Sequence, residues 1–141
     1  MRILGIDFGE RRIGLAISDG DGRLALPLTT LERRDDRSAI RQILAIARRE
    51  GVEGLVLGDP VGLDGQRGPA AERIDRFAAR LEAASGMPCQ RVPETLTSRE
   101  AESRLAAAGV ARRRWPERID QVAAQILLQE ALDERRETPG R

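Results

Sequence analysis

The sequence predicts an α/β fold in which a mixed β-sheet, with three antiparallel strands followed by parallel strands, has helices on its faces. Two observations predict this class. The chain opens with three strand-like apolar runs joined by short turns, which is typical of an antiparallel meander. The rest alternates short apolar runs with amphipathic helical patterns, which is typical of parallel strands linked by helices. At 141 residues we expect one domain over residues 1–132 and a charged, flexible tail over residues 133–141.

The three opening strands are predicted at residues 3–9, 12–19 and 24–31, because each run of apolar residues is bounded by turn residues. The Asp-Gly-Asp-Gly sequence at residues 19–22 suits a turn between antiparallel neighbours. These segments therefore form the antiparallel half of the sheet.

The following elements alternate between helix and strand. Asp35 or Asp36 caps a first helix that runs to about Glu50. The short apolar run at residues 54–58 predicts a buried parallel strand, which leads into a glycine-containing loop at residues 59–68. In open α/β sheets, ligands bind at this end of the strands, although the glycines could equally serve turns alone.

The second half of the chain is predicted to contain three amphipathic helices and one short strand. Their positions are a helix from Pro69 to before Gly86, a strand at residues 89–92, a helix at residues 101–108 behind a capping box at 97–100, and a final helix from about Pro116. The strand delivers Glu94 near its carboxyl end. The predicted order is β-β-β-α-β-α-β-α-α.

Asp7 stands in the middle of the otherwise apolar first strand. Because side chains alternate along a strand, it shares a face with Gly5 and Gly9, while Leu4 and Ile6 lie on the other face. We expect the large residues to form the core and the glycine-bearing face to stay open around the carboxylate. Glycine within a strand marks close approach by a ligand or by another backbone. A buried, unpaired carboxylate costs on the order of several kcal/mol, so a metal ion is the natural partner.

Two further acids join Asp7 as candidate ligands. Asp120 lies in the middle of the apolar stripe of the last helix and near its N-terminus, where the helix dipole offsets part of its charge. Glu94 follows a strand, at the end where α/β sheets present functional groups. We expect these acids, from three distant segments, to converge at one end of the sheet.

Such a cluster suits Mg²⁺ or Mn²⁺, which take hard oxygen ligands. Two such ions about 4 Å apart can activate water and stabilise the leaving oxygen in phosphodiester hydrolysis. The alternative is that Asp7 pairs with an arginine, that Asp120 is only a helix N-terminal charge, and that Glu94 is an exposed loop acid.

The composition excludes several other chemistries. The chain has no histidine and a single cysteine, which excludes a Ser-His-Asp triad, a Cys-rich zinc site and an internal disulfide. All 24 basic residues are arginine, so there is no Walker or Schiff-base lysine. With no leader and no apolar run near ~18 residues, we expect a soluble, cytoplasmic protein without membrane association.

The densest positive run is Arg112-Arg113-Arg114, directly before the helix that carries Asp120. These arginines are candidate phosphate contacts, since guanidinium groups bind phosphate in a bidentate way. Trp115 either stacks on a base or anchors the packing of the helix start. Arg11 and Arg12, in the first hairpin turn beside Asp7, are further candidates.

Several segments, in order along nearly the whole chain, resemble the YqgF family of RNase H-like proteins. They are GIDFG at residues 5–9 with RIGLAISD at 12–19, GQRGPA at 65–70, ETLTSREAE at 94–102, and ID at 119–120 followed by AA at 123–124 and ILLQ at 126–129. The family is described as pre-16S rRNA nucleases and, earlier, as Holliday-junction resolvases, with three acids that bind divalent metal. By this resemblance, those acids fall on Asp7, Glu94 and Asp120.

Two positions depart from the family pattern. Where members typically read Asp-Glu-Arg, this chain has Pro93-Glu94-Thr95, without the neighbouring acid and an arginine suited to phosphate. Where many read Gly-Leu-Pro, it has Gly58-Asp59-Pro60, which adds an acid near the mouth of the expected site.

The resemblance implies a metal-dependent endonuclease that acts on structured RNA, with processing of the 5′ end of the 16S ribosomal RNA precursor favoured. Cleavage of branched DNA by a Holliday-junction resolvase is the enzymatic alternative, and a non-catalytic RNA-binding or ribosome-associated factor is the other. An ATP-binding protein with a similar glycine hairpin would need a second lobe, for which 141 residues leave no room. No oligomeric state is predicted.

Overall fold

The strands and helices occur in the predicted order. The computed structural model describes residues 1–60, 66–94 and 97–137. The strands are β1 (Ile3–Phe8), β2 (Arg12–Ser18), β3 (Ala25–Glu32), β4 (Gly54–Pro60) and β5 (Cys89–Glu94). The helices are α1 (Asp36–Glu50), α2 (Ala71–Ser85), α3 (Thr97–Ala107) and α4 (Trp115–Glu137), with a 3-10 turn at Arg112–Arg114 before α4.

The five strands form one mixed sheet in the order β3-β2-β1-β4-β5. The pairs β1–β2 and β2–β3 are antiparallel, whereas β1–β4 and β4–β5 are parallel. The predicted fold class is therefore confirmed. The carboxyl ends of β1, β4 and β5 consequently lie at one edge of the sheet, together with the start of β2.

Helices α1 and α2 cover one face of the sheet and enclose the larger core. The Asp35 side chain caps α1 by accepting a hydrogen bond of 2.7 Å from the backbone N–H of Ser38. The helix ends at Gly51, whose φ of 66° is the left-handed conformation that glycine adopts at low cost. The fully buried large side chains of this core include Leu4, Ile6, Ile13, Leu15, Ile43, Leu55, Leu57, Phe77 and Leu81.

Helix α4 covers the opposite face, so the expectation that this face stays open is wrong. Its Ala124, Leu127 and Leu128 form a second core with residues of the sheet. A Cβ atom added to Gly5 would lie 2.8 Å from Cβ of Leu128. One added to Gly14 would overlap the backbone carbonyl oxygen of Asp120. The strand glycines therefore serve the close approach of another backbone.

Several predicted features fall at the limits of the described residues. Helix α3 begins at Thr97, four residues before the predicted start at residue 101. The side chains of the predicted capping box at Thr97 and Ser98 lie outside the described residues, as do loop residues 61–65. Helix α4 continues to Glu137, so residues 133–137 of the segment predicted as a tail are helical. Among the helices that the structure describes, none is long and apolar enough to cross a membrane.

We predict that Gly14→Ala destabilises the protein by about 1–3 kcal/mol or more, because the added methyl group overlaps the α4 backbone and overpacking carries such a cost. Urea unfolding followed by circular dichroism measures this change. Gly20→Ala is the matched control, since a Cβ at Gly20 meets nothing within 4 Å. Equal stability of the two variants would show that α4 does not pack against β2 as described.

Candidate active site

Three elements bring the predicted acids to the same edge of the sheet. Asp7 is the second-last residue of β1, and Glu94 is the last residue of β5. Asp120 lies in the second turn of α4, and its backbone packs directly over Gly14, the β2 residue that pairs with Asp7. The fold thus brings together three acids that lie far apart in the chain.

Asp7 and Glu94 are joined by a hydrogen bond between their carboxyl groups. Burial raises the pKa of Glu94 to about 10, and the hydrogen bond to Asp7 and the charges of Asp7 and Asp120 contribute to this rise. Burial also raises the pKa of Asp7, while the hydrogen bond from Glu94 lowers it and the charge of Asp120 raises it. The pair therefore retains one proton at neutral pH, which Glu94 donates to Asp7.

Gly58 of β4 makes room for the Glu94 carboxyl group. A Cβ added to Gly58 would overlap Oε2 of Glu94 and would lie 2.9 Å from Cδ1 of Leu127. Glu94 is consequently enclosed between the end of β4 and helix α4. This enclosure is the physical cause of its desolvation.

Asp120 has a different partner. Its Oδ2 accepts a hydrogen bond of 2.8 Å from Nε of Arg12, the first residue of β2. The side chains of Arg12 and Asp120 are 48% and 21% exposed, so this ion pair contributes at most about 1 kcal/mol to stability. Arg12, which was predicted to contact phosphate, is thus paired with a predicted metal ligand.

The donor set of this edge suits a hard divalent cation. Two carboxyl groups that share a proton in a partly buried site can exchange that proton for a cation, which relieves their repulsion. Asp120 is close enough for its charge to act on both. Across residues 1–60, 66–94 and 97–137, however, no three Asp, Glu or Cys side chains are arranged to hold a metal ion together. The Asp120 carboxylate is paired with Arg12.

The three predicted phosphate-binding arginines, Arg112, Arg113 and Arg114, form the exposed 3-10 turn before α4. The Arg112 guanidinium lies over the Trp115 ring, 5.2 Å from its centroid. Trp115 donates a hydrogen bond of 2.9 Å from Nε1 to the carbonyl oxygen of Val110 and packs against the α3–α4 core. It is therefore a packing anchor.

A groove of about 430 Å³ extends from this turn to Arg12, the partner of Asp120. It is lined by Arg12, Glu102, Arg112, Trp115, Pro116 and Ile119. The groove thus places two of the predicted phosphate-binding arginines on one surface.

Asp59 does not belong to the acid cluster, contrary to the expectation that it adds an acid at the mouth of the site. Side chains alternate along β4, so Asp59 faces the side of the sheet opposite to Gly58 and Glu94. Its Oδ1 lies 2.8 Å from Nη2 of Arg67, which also pairs with Asp75 of α2 at 2.7 Å. These pairs tie Arg67 to both β4 and α2. Strand alternation in the sequence could have predicted the direction of Asp59.

Arg73 is a residue of the site edge that the sequence did not single out. Its Nη1 lies 3.2 Å from Oε1 of Glu10. With Glu94, Phe8 and Pro60, it lines a cavity of about 170 Å³ beside the acid pair. No local sequence pattern indicates this position, because Glu10 is distant in the chain.

Residues 1–134 match the family described as "RuvX: Holliday junction resolvase". The chain belongs to this family. The RuvX family is the YqgF family that the sequence motifs predicted, so that prediction and the predicted enzyme class, nuclease, are confirmed.

Relatives of this RuvX family member are similar over almost their full length. A protein of Chloroflexus aurantiacus is 46% identical over 139 residues, which cover 99% of this chain and 91% of the relative. A protein of Anaeromyxobacter dehalogenans is 44% identical over 135 residues, which cover 96% of this chain and 98% of the relative. Both are named "Putative pre-16S rRNA nuclease".

Solved structures show the same fold at low sequence identity. The RuvC protein of Thermus thermophilus in complex with a Holliday junction substrate superposes with a TM-score of 0.60 at 17% identity, covering 98% of each chain. The fowlpox virus Holliday junction resolvase gives a TM-score of 0.57 at 14% identity, and the match covers 95% of this chain and 98% of the viral chain. These matches confirm the RNase H-like fold.

We predict that Glu94→Gln stabilises the metal-free protein at alkaline pH. Unfolded Glu94 titrates near 4.5 and folded Glu94 near 10, so between these values the folded state retains a proton that the unfolded state has lost. The stability of the wild type should therefore fall as pH rises through this window. The glutamine side chain does not titrate, and its amide can still donate a hydrogen bond to Asp7. The free energy of unfolding of the variant should therefore exceed that of the wild type by ~1 kcal/mol or more at about pH 9.

Urea unfolding in EDTA between about pH 5 and pH 9 measures this difference. Glu53→Gln, at an exposed position outside the site, should follow the wild-type curve. If Glu94→Gln also follows it, the raised pKa of Glu94 is refuted.

Proposed function

We propose that this protein is a cytoplasmic, metal-dependent endonuclease that hydrolyses phosphodiester bonds in structured RNA, at the 5′ end of the 16S ribosomal RNA precursor. The observation that carries the proposal is the proton-sharing pair of Asp7 and Glu94, with the charge of Asp120 acting on both. Membership of the RuvX family and the names of the curated relatives support it.

Asp7, Glu94 and Asp120 would hold Mg²⁺ or Mn²⁺ through carboxylate oxygens. A divalent ion bound there supplies Lewis-acid chemistry, lowering the pKa of water and stabilising negative charge on phosphate oxygens. Glu94 must lose its proton before its carboxyl group can serve as a ligand, so ion binding is linked to proton release. The enclosure of Glu94 by Gly58 and Leu127 fixes its direction and limits the access of bulk water.

The arginines of the groove would position the nucleic acid. Arg12 and Arg112 line the groove, and Arg113 and Arg114 extend the positive surface along the 3-10 turn. Phosphate contacts of this kind set the register of a strand without reading its sequence. Glu102, in the same groove, is an acceptor that a base amino group can use.

Cleavage of branched DNA is the second candidate. The description of the family favours it. The phosphate contacts suit either nucleic acid, so the substrate must be distinguished by experiment.

We expect the wild type to cleave a precursor 16S RNA fragment with Mg²⁺ or Mn²⁺, and not with EDTA. Asp7→Asn, Glu94→Gln and Asp120→Asn should each lower the rate by at least ~100-fold, since even the partners that orient metal ligands typically contribute ~10–100-fold. Asp21→Asn, a charge-matched change in the β2–β3 turn, should retain the wild-type rate.

The same assay includes a DNA four-way junction of matched length. Preferential cutting of the junction would establish the resolvase instead. Retained RNA binding with no cutting of either substrate would establish a non-catalytic binding protein.

We predict that replacing Arg112, Arg113 and Arg114 together by glutamine weakens RNA binding by at least ~10-fold at low salt and lowers the salt slope by ~0.7 for each phosphate that is no longer neutralised. Fluorescence anisotropy over a series of KCl concentrations measures both quantities. The matched control replaces Arg37, Arg41 and Arg48, exposed residues of α1 on the other side of the sheet, and should bind as the wild type. Equally weakened binding by both triple variants would mean that only net charge matters.

A further inference from the structure

Arg12 connects the acidic edge to the basic groove. It pairs with Asp120 through Nε at 2.8 Å, and it also lines the groove together with Arg112. One side chain therefore contacts a proposed metal ligand and faces the proposed path of the phosphates. The two roles compete for the same guanidinium group.

The backbone on both sides of the ion pair is fixed. Arg12 begins β2 and pairs with Glu32 of β3, while Asp120 is packed against Gly14. A change of partner thus requires only side-chain rotations. The pair itself is partly exposed, and such ion pairs are weak enough to exchange for a stronger partner.

The arrangement of the acids shows what the exchange would accomplish. Asp120 acts on Asp7 and Glu94 through its charge, but the three side chains do not form a ligand set within the described part of the chain. For Asp120 to join the other two acids, its carboxylate must turn from Arg12. Arg12 then has its full set of donors available for a phosphate.

We propose that Arg12 is a positioning residue that couples metal binding to nucleic-acid binding by exchanging Asp120 for a phosphate. Without ligands, Arg12 holds Asp120 away from the Asp7–Glu94 pair. A metal ion that recruits Asp120 releases Arg12, and a phosphate that recruits Arg12 releases Asp120. This inference rests on the proposed function, because it takes the three acids as the metal ligands.

Two consequences distinguish this exchange from a purely structural ion pair. Metal and nucleic acid should each tighten the binding of the other by the same factor, because coupling between two binding sites is reciprocal. Removal of Arg12 should strengthen metal binding in the absence of nucleic acid, since the group that competes with the metal for Asp120 is then missing.

The first experiment is a Mn²⁺ titration of the free protein followed by electron paramagnetic resonance. Arg12→Gln should bind Mn²⁺ about 3- to 10-fold more tightly than the wild type. This change lies at the lower end of the coupling typical of two linked sites. Arg34→Gln removes the same charge at an exposed position to which no role in the site is assigned, and should bind as the wild type. Arg12→Lys keeps the charge and should lie between the two.

The second experiment measures the affinity for a labelled RNA hairpin by anisotropy, in EDTA and in Ca²⁺, with the probe checked for integrity afterwards. Wild-type affinity should rise at least ~5-fold with Ca²⁺. In Arg12→Gln the affinity should be lower, and it should no longer respond to Ca²⁺.

The outcomes separate the coupling from the proposed function. Weaker Mn²⁺ binding by Arg12→Gln, or changes equal to those of Arg34→Gln, would overturn the exchange while leaving the metal site intact. Unchanged Mn²⁺ binding in Asp7→Asn and Asp120→Asn would overturn the proposed metal site, and the coupling with it. Circular dichroism of each variant verifies that it is folded.

Discussion

The close approach of α4 to the glycine-bearing face of β1 and β2 is the constraint on which the rest of the structure depends. The backbone of α4 at Asp120 lies so near β2 that only a hydrogen atom fits at Gly14. This approach buries the second core, and it also places Asp120 beside the strand end that carries Asp7. Stability and site geometry therefore come from one packing interaction. A larger residue at Gly14 would disturb both.

The site holds three acids close enough to repel one another, within an otherwise apolar fold. Two acids are desolvated together, which raises the pKa of each, and a third acid adds to the repulsion. A shared proton and the Arg12 guanidinium offset this negative charge. In the proposed function, a cation replaces the proton and a phosphate replaces the guanidinium. Perturbed carboxyl groups of this kind are characteristic of functional sites.

Much of this arrangement could be predicted from the sequence, because it follows from local periodicity. Strand alternation identified the face of Asp7, and helical periodicity identified the position of Asp120 within an apolar stripe. The same alternation predicts that Asp59 faces the opposite side of the sheet from the site. On that side it pairs with Arg67. What occupies the glycine-bearing face could not be predicted, since glycine indicates a close neighbour without identifying it. Pairs such as Arg12 with Asp120 join residues far apart in the chain, and no local pattern encodes them.

The pairing of Arg12 with Asp120 is itself informative. A residue predicted to bind phosphate and a residue predicted to bind metal are found paired with each other. Opposite charges that lie within reach of each other form an ion pair. Such a pair keeps the edge close to neutral and limits the repulsion among the acids. It also means that each ligand must displace one partner, so that the two ligands favour each other even though they contact different side chains. The proximity of Arg12 to Asp120 therefore has a physical consequence beyond stability, because it makes the occupancy of one half of the site depend on the other.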